Sequence, residues 1–350
     1  MPRQVQKRPM EEQVLSLLRK NPSGFVSGQE ISRHLEVTRT AVWKRVKSLR
    51  HMGYEIEASR RLGYRLVRSP DLLAPSEILP ILRTKWMGRR VRYFRTTDST
   101  NAEAYQLALR GAKEGEIVLA ESQEKGRGRI GRQWFSPAFL NLYLSVILRP
   151  NIPPHRASLL TLMAAVATAD AIEEYAGLHP TIKWPNDLLL NGRKIAGLLN
   201  EIHAETDRIH FVVLGIGVNL NVDRQRFPQM IRDRATSLKE EMGQKIARKA
   251  FLAILLKSLE KWYGVFPKDG GASVLNAWRD RAQIAGKQVK ISSFDEVIVG
   301  RAVDVDSEGA LLVQMRNGQR KRIVAGDVDY RGPKAVRGPR RGKRQIPGHK

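Results

Sequence analysis

The sequence predicts an α+β multidomain protein in three folded pieces, and three observations predict it. Helical periodicity opens the chain and gives way to a strand pair by residue 68. Strands and helices then alternate from about residue 75 to 272, and short strands separated by turn signals occupy about 280 to 330. At 350 residues the chain is long enough for two or three domains. It has no cysteine, which excludes disulfides and thiolate metal sites and fits a reducing compartment. Its apolar stretches are broken by charge or glycine short of the roughly 20 residues a membrane span needs, and no signal-type apolar region opens it. The expectation is a cytoplasmic protein without a membrane partner.

The formal charge of +26 is uneven. Residues 1–70 carry fifteen Lys/Arg against six Asp/Glu, and the last twenty residues carry eight basic groups and no acid. Two basic ends around a milder middle place polyanion attraction at those ends, although a generally basic, solvated surface accounts for the charge as well.

In the first piece, 10–68, "MEEQVLSLLRK" sets Val14, Leu15, Leu17 and Leu18 on or near one helical face, and "NPSG" stops the helix. In "SGQEISRHLEV", Ser27 can cap a second helix with Glu30 three residues on, the pattern of a capping box. In "TRTAVWKRVKSLRHMG", Val42, Val46 and Leu49 make a buried stripe, and "YEIEA" and "GYRLVR" form a strand pair joined by "SRRL". Helix, helix, short turn, helix and hairpin is the order of a winged helix-turn-helix. Such a unit reads DNA with its last helix in the major groove and phosphate contacts around it. Thr38, Arg39, Thr40, Lys44 and Lys47 would face outward on that helix, with Arg60 and Arg61 at the wing tip. A small helical domain used for protein contacts is the alternative.

The second piece, 75–272, opens with strand, polar turn and helix in "YFRTTDSTNAEAYQLALRG". "GEIVLAESQ" and "LNLYLSVILRP" read as strands, and "ASLLTLMAAVATADAIEEYAG" as a mostly buried helix closed by Gly177. Strands "TIKWP", "DLLL", "RKIAGLLNEIHAE" and "RIHFVVLGIGVNLN" follow, with Asn191–Gly192 as a hairpin turn, and a helix over "QKIARKAFLAILLKSLEKWYGVF" completes the piece. The third piece, 280–330, alternates in short runs and predicts a small, partly closed β-barrel. The basic tail 331–350 has no apolar periodicity and is expected to be disordered.

The stretch "GRGRIGR", residues 126–132, matches neither a Walker A motif nor a dinucleotide fingerprint. Alternating glycine and arginine can fold around an anion with backbone N–H groups and guanidinium forks together. Its like charges should repel until the anion arrives, so the loop is expected to order on binding. An RNA-binding or simply flexible loop has the same composition. In "KWPNDLLLNGRKIAGLL", Pro185 and Asn186 form a corner that presents Asp187, and Lys194 begins the next strand, where a solvated edge lysine is the plainer reading. Gly197, Gly215 and Gly217 within strands suggest close approach to the backbone.

Taken in order, "DSTN", "ESQEKGRGRIGRQWFSP", "KWPNDLLLNGRKIAGLL" and "GIGVNLN" resemble the biotin protein ligases, and with the winged helix the chain is similar to their bifunctional form over about residues 10 to 330. The resemblance implies a central mixed-sheet catalytic domain of the biotin/lipoate ligase type and an SH3-like C-terminal barrel. It implies an ATP-dependent ligase that forms biotinyl-5′-AMP from biotin and ATP with Mg²⁺, then biotinylates a lysine of the biotin carboxyl carrier protein of acetyl-CoA carboxylase. It also implies a biotinyl-5′-AMP-dependent repressor that dimerises through the central sheet on operator DNA of biotin synthesis genes.

Lys194, Arg129 and Asp187 would be catalytic, with Lys194 bridging the biotin carboxylate and α-phosphate and Asp187 holding Mg²⁺. Biotin and the adenylate would meet Ser99, Thr100, Asn101, Gln123, Gly126, Arg127, Gly128, Arg129 and Arg132. Gly197 and Gly215 would let the ring system lie close to the sheet, Asn219 would sit beside the adenylate, and Trp134 would cover adenine or simply pack in the core. Ile130 departs from the pattern, standing where some relatives have another arginine, and the basic tail has no counterpart in the resemblance. A ligase without gene regulation, a lipoate- or octanoate-type ligase, and a transcription factor that senses biotin without catalysis remain rival readings.

Overall fold

The computed structural model describes residues 10–292 and 296–331, so the expected tail falls outside the described residues except for Arg331. The N-terminal piece is α1 (Met10–Lys20), α2 (Gly28–Leu35), α3 (Arg39–His51) and the antiparallel pair β1 (Glu55–Ser59) and β2 (Gly63–Arg68). Val14, Leu15, Leu18, Ile31, Val42, Val46 and Leu49 close over Tyr54 and Ile56 in a core of their own. Ser27 Oγ accepts from the Glu30 amide at 3.0 Å, and Thr38 Oγ1 accepts from the Ala41 amide at 3.1 Å. Each caps the helix that follows it. Glu36 turns the chain between α2 and α3 in a left-handed conformation, φ 53°.

The short helix α4 (Pro75–Ile78) leads into a seven-stranded mixed sheet of order β3-β4-β5-β9-β8-β7-β6. Its strands are β3 (Val91–Thr97), β4 (Ile117–Gln123), β5 (Leu142–Leu148), β6 (Thr181–Lys183), β7 (Asp187–Leu190), β8 (Arg193–Ala204) and β9 (Ile209–Val218). Only β3 and β4 run parallel; the other neighbouring pairs are antiparallel. One face packs on α6 (Ser158–Ala176) and α9 (Arg248–Val265), and Gly177 ends α6 at φ 65° as expected. The opposite face carries α5 (Thr100–Leu109) at one end and is open at the other. Two short helices, α7 (Gln229–Arg232) and α8 (Leu238–Met242), follow β9.

Two local expectations change. The helix expected from Gln244 begins at Arg248, because the Asn221 side chain accepts from the Ile246 amide at 2.8 Å and donates to its carbonyl at 3.0 Å. Those bonds occupy the Ile246 backbone outside the helix. A further helix, α10 (Ala272–Ala282), lay unrecognised between the second and third pieces. It buries Val274, Leu275 and Trp278, and Arg281 ties it to Asp170 and Glu173 of α6 at 2.7 and 3.1 Å.

The C-terminal sheet comprises β10 (Gln288–Ser292), β11 (Val297–Val305), β12 (Leu311–Met315), β13 (Arg320–Ile323) and β14 (Asp327–Arg331), antiparallel in the order β13-β12-β11-β10-β14. Among the described residues no ladder joins β13 to β14, so the curl stays open at that seam. Its inward side chains continue the central core. This packing brings the start of β14 against the open end of the central sheet.

Candidate active site and DNA-reading face

The open end of the central sheet is a cleft of about 920 Å³. Its floor follows from register. Gly217 on β9 pairs with Gly197 on β8 and with Tyr143 on β5, and Gly215 pairs with Leu199 and Ser145. On the two paired glycines lies the Trp134 indole: a Cβ on Gly217 would meet its Cε2 at 2.5 Å, and one on Gly197 its Cζ3 at 2.9 Å. The indole N–H is buried and finds no partner among the described residues. At Gly215, a Cβ would strike Asn101 Oδ1 at 2.2 Å. The space it frees is filled by a protein side chain.

A polar wall stands beside this floor. Gln123 Oε1 accepts from the Thr100 amide at 2.9 Å and its hydroxyl at 3.1 Å, while Gln123 Nε2 donates to Ser136 Oγ at 2.9 Å. Asn101 is committed internally: Ser145 Oγ donates to its Oδ1 at 2.6 Å, and its Nδ2 donates to Glu201 Oε2 at 2.8 Å. Ser99 starts α5 without a side-chain cap bond, so its hydroxyl is available to the cleft.

The Arg/Gly stretch forms a tight turn over the opening. Trp134 N donates to Gly126 O at 2.8 Å, Gly128 N to Arg132 O at 2.7 Å, and Arg132 N to Arg129 O at 3.1 Å. The expected mutual repulsion is answered by protein carboxylates. Lys125 pairs with Asp98 at 2.8 Å, Arg127 with Glu201 at 3.0 Å and Arg132 with Asp327 at 2.6 Å. Arg129 reaches Asn186 Oδ1 at 3.4 Å and Gly326 O at 3.5 Å. Burial pushes its guanidinium below its ordinary pKa, against the opposing pull of Asp187 and Asp327.

Lys194 Nζ sits 2.6 Å from Asp187 Oδ1 and 5.3 Å from the Trp134 ring centroid. The turn at Pro185–Asn186 does present Asp187, because Lys183 and Asp187 pair across the β6–β7 hairpin. Lys183 and Arg234 also line the cleft. Among the described residues no group of three or more His, Asp or Glu could hold a metal ion. Asp187, paired with Lys194 and sharing the cleft with Asp327 and Asp329, would suit an ion such as Mg²⁺, which keeps waters and uses one or two carboxylates plus substrate phosphates.

Residues 93–219 match the biotin/lipoate A/B protein ligase family, residues 11–65 an HTH domain, and residues 284–331 the biotin protein ligase C-terminal domain. The chain is 40% identical over 320 residues to a bifunctional ligase/repressor of Bacillus subtilis, covering 91% of this chain and 98% of that one. The chain belongs to the biotin protein ligase family. It is also 32% identical to the bifunctional ligase/repressor of Escherichia coli, over 88% of this chain and 93% of that one. The structure resembles the Aquifex aeolicus biotin protein ligase solved with biotin and ATP, at 28% identity and a TM-score of 0.59, covering 69% of this chain and 99% of that one.

All the catalytic and ligand-binding residues singled out in the sequence line the cleft except Gly126. Gly126 lies under the turn, where a Cβ would meet Trp134 O at 2.6 Å. Sequence reasoning missed Arg234, Tyr330 and Asp327 as cleft residues. Tyr330 and Asp327 come from the C-terminal sheet, and no spacing signal connects that segment to the catalytic motifs. The Tyr330 hydroxyl, pushed up to about 12 by burial, lies beside the Trp184 backbone without a well-aligned hydrogen bond.

On the winged helix, Thr40, Lys44, Lys47, Arg60 and Arg61 are exposed. Thr38 is spent partly on capping, and Arg39 donates to Gln29 Oε1 at 3.0 Å. Trp43, 52% exposed with Lys47 Nζ 5.6 Å from its ring centroid, stands on the same helix and went unnoticed in the sequence. Among the described residues no helix is long and apolar enough to cross a membrane.

Proposed function

We propose that this chain is an ATP-dependent biotin protein ligase carrying its own DNA-binding module, organised as 10–68, 75–272 and 280–330. The observation that carries the reading is the convergence of Lys194, Asp187 and the Arg/Gly turn over a floor of paired glycines. Attack of a biotin carboxylate oxygen on the ATP α-phosphorus forms the acyl phosphate and breaks the bond to pyrophosphate. Two anions must meet, so cations placed beforehand lower the barrier. Lys194, released from Asp187, stands where it can bind both the carboxylate and the α-phosphate oxygen. Arg129 and Arg132 offer their remaining guanidinium N–H groups to phosphate oxygens, and their fork geometry suits that role. Mg²⁺, where Asp187 holds it, supplies charge neutralisation at the phosphates.

Ser99, Thr100 and Gln123 offer hydrogen bonds to the ureido group, and Trp134 with Gly197 and Gly217 makes the apolar slot. Gly128 and the turn close over the adenylate, with Asn219 at its edge. In the second step a carrier lysine amine attacks the biotinyl carbonyl, AMP leaves and the amine loses its proton. The acceptor is the biotin carboxyl carrier protein.

The winged helix extends the reading to regulation: adenylate-bound copies dimerise and set two α3 helices on a palindromic operator of biotin synthesis genes, repressing transcription in the cytoplasm. The test incubates the full chain with ATP, Mg²⁺, a carrier domain and either biotin or lipoate, then weighs the carrier. A mass gain with biotin alone is expected; a gain with lipoate alone, or none with either, overturns the ligase assignment. Operator affinity should rise with biotinyl-5′-AMP and fall steeply with salt; adenylate-independent binding would separate ligation from repression.

A further inference from the structure

The Arg/Gly turn is not anchored by the catalytic sheet alone. Arg132 Nη2 donates to Asp327 Oδ2 at 2.6 Å, and Arg129 Nη1 lies 3.5 Å from Gly326 O. Two guanidinium groups of the turn are therefore bound by consecutive residues at the entry to β14. Inside the turn, the Gly128–Arg132 and Arg129–Arg132 backbone bonds of 2.7 and 3.1 Å make these two arms one body. The turn also contains a cost. Ile130, β-branched and 50% exposed, sits at φ 54°, a left-handed conformation such residues avoid. A turn with that strain at its tip, and with its own arginines repelling one another, needs an anchor from outside.

We propose that Asp327 is a positioning residue for adenylation: through Arg132 it sets where the Arg/Gly turn stands over the cleft. The C-terminal sheet is thereby part of the adenylate-retaining apparatus. The pair is partly wet, with the Arg132 side chain 65% exposed and Asp327 34% exposed, so it is weak. It engages only Nη2 of Arg132, so the carboxylate can keep the guanidinium in place while the remaining N–H groups take a phosphate oxygen. The Arg129 contact to Gly326 O ties the other arm of the turn to β14.

The inference rests on the ligase reading and deepens it. The experiment uses the full chain with Asp327→Asn and Asp327→Glu, preloaded with biotinyl-5′-AMP. Asp327→Asn should release the adenylate about two- to fivefold faster, the span that the usual worth of an exposed ion pair allows. The KM for ATP should rise with kcat and melting temperature unchanged, and Asp327→Glu should restore retention. A double-mutant cycle with Arg132→Gln should show the two losses to be non-additive. Wild-type release by Asp327→Asn, a melting shift without a release change, or additivity in the cycle overturns the assignment. If the unaltered chain forms no adenylate, the ligase reading itself falls; if it forms one and Asp327→Asn retains it normally, only this inference does.

Discussion

Arginine meets carboxylate in two regions of this molecule, and access to water makes them different devices. Where the winged helix joins the central sheet, Arg248 and Glu121 are both fully buried and 2.7 Å apart. Glu121 also accepts from the Leu73 amide at 2.8 Å and the Tyr93 hydroxyl at 3.1 Å, and Arg248 reaches Asp71 at 3.1 Å. A few residues along, Glu77 takes Tyr54 at 2.6 Å, Lys249 at 2.7 Å and the Arg19 guanidinium. Glu121 and Glu77 each collect three partners away from water, so a diffusing ion has no access to replace them. Over the cleft, the carboxylate partners of the Arg/Gly turn are 27–53% exposed. The same chemistry there gives weak pairs that leave guanidinium N–H groups for a phosphate. The lesson is that a count of salt bridges says little, whereas their exposure separates a hinge pin from a latch.

The comparison breaks most visibly at the joint. Arg248→Ala leaves the Glu121 carboxylate buried and unpaired, and unfolding should become easier by about 3–5 kcal/mol. Denaturant titration checks this, and a loss under about 1 kcal/mol would mean the joint is no more fixed than a surface pair. In the cleft, Lys194→Ala should cut biotin-dependent ATP–pyrophosphate exchange by a factor on the order of 10² to 10³ while leaving the denaturation midpoint in place. Normal exchange would remove Lys194 from the chemistry. A smaller effect belongs to the winged helix, where Thr38→Ala deletes the cap bond to Ala41 and should cost about 0.5–2 kcal/mol of stability.

Acid offers the finest test. Burial would raise the Asp327 carboxyl, but the Arg132 hydrogen bond and charge, with Lys183 and Lys194 behind, hold it below its ordinary 3.8. A depressed carboxylate contributes fully above its unfolded value and loses that contribution as pH falls through the folded one. Adenylate retention should therefore be indifferent to this group between about pH 5 and 7. A retention profile that bends inside that window, and that Asp327→Asn flattens, would show the latch to be less charged than its geometry requires.

Much of the site was readable before any coordinates. The glycine and arginine alternation, the corner before Asp187 and the lysine opening β8 are local features, and local chemistry reports them. The partners were not readable. Glu201 stands 74 positions from Arg127, and Asp327 stands 195 from Arg132. Gly215 announced a close approach to the backbone but not that Asn101 makes one, because a missing side chain does not name its neighbour. The start of α9 was misplaced because Asn221, well before it in the chain, claims the Ile246 backbone.

The amino-acid order by itself determined the helices of the winged unit, the buried helix α6, the hairpin at Asn191–Gly192 and the cationic character of the turn, since periodicity and backbone preference act over a few residues. Only the tertiary structure decided which charges lost their water, which carboxylate answered which arginine, and that the C-terminal sheet would share the cleft. Burial and pairing are properties of distant segments brought together, and no short stretch of sequence contains them.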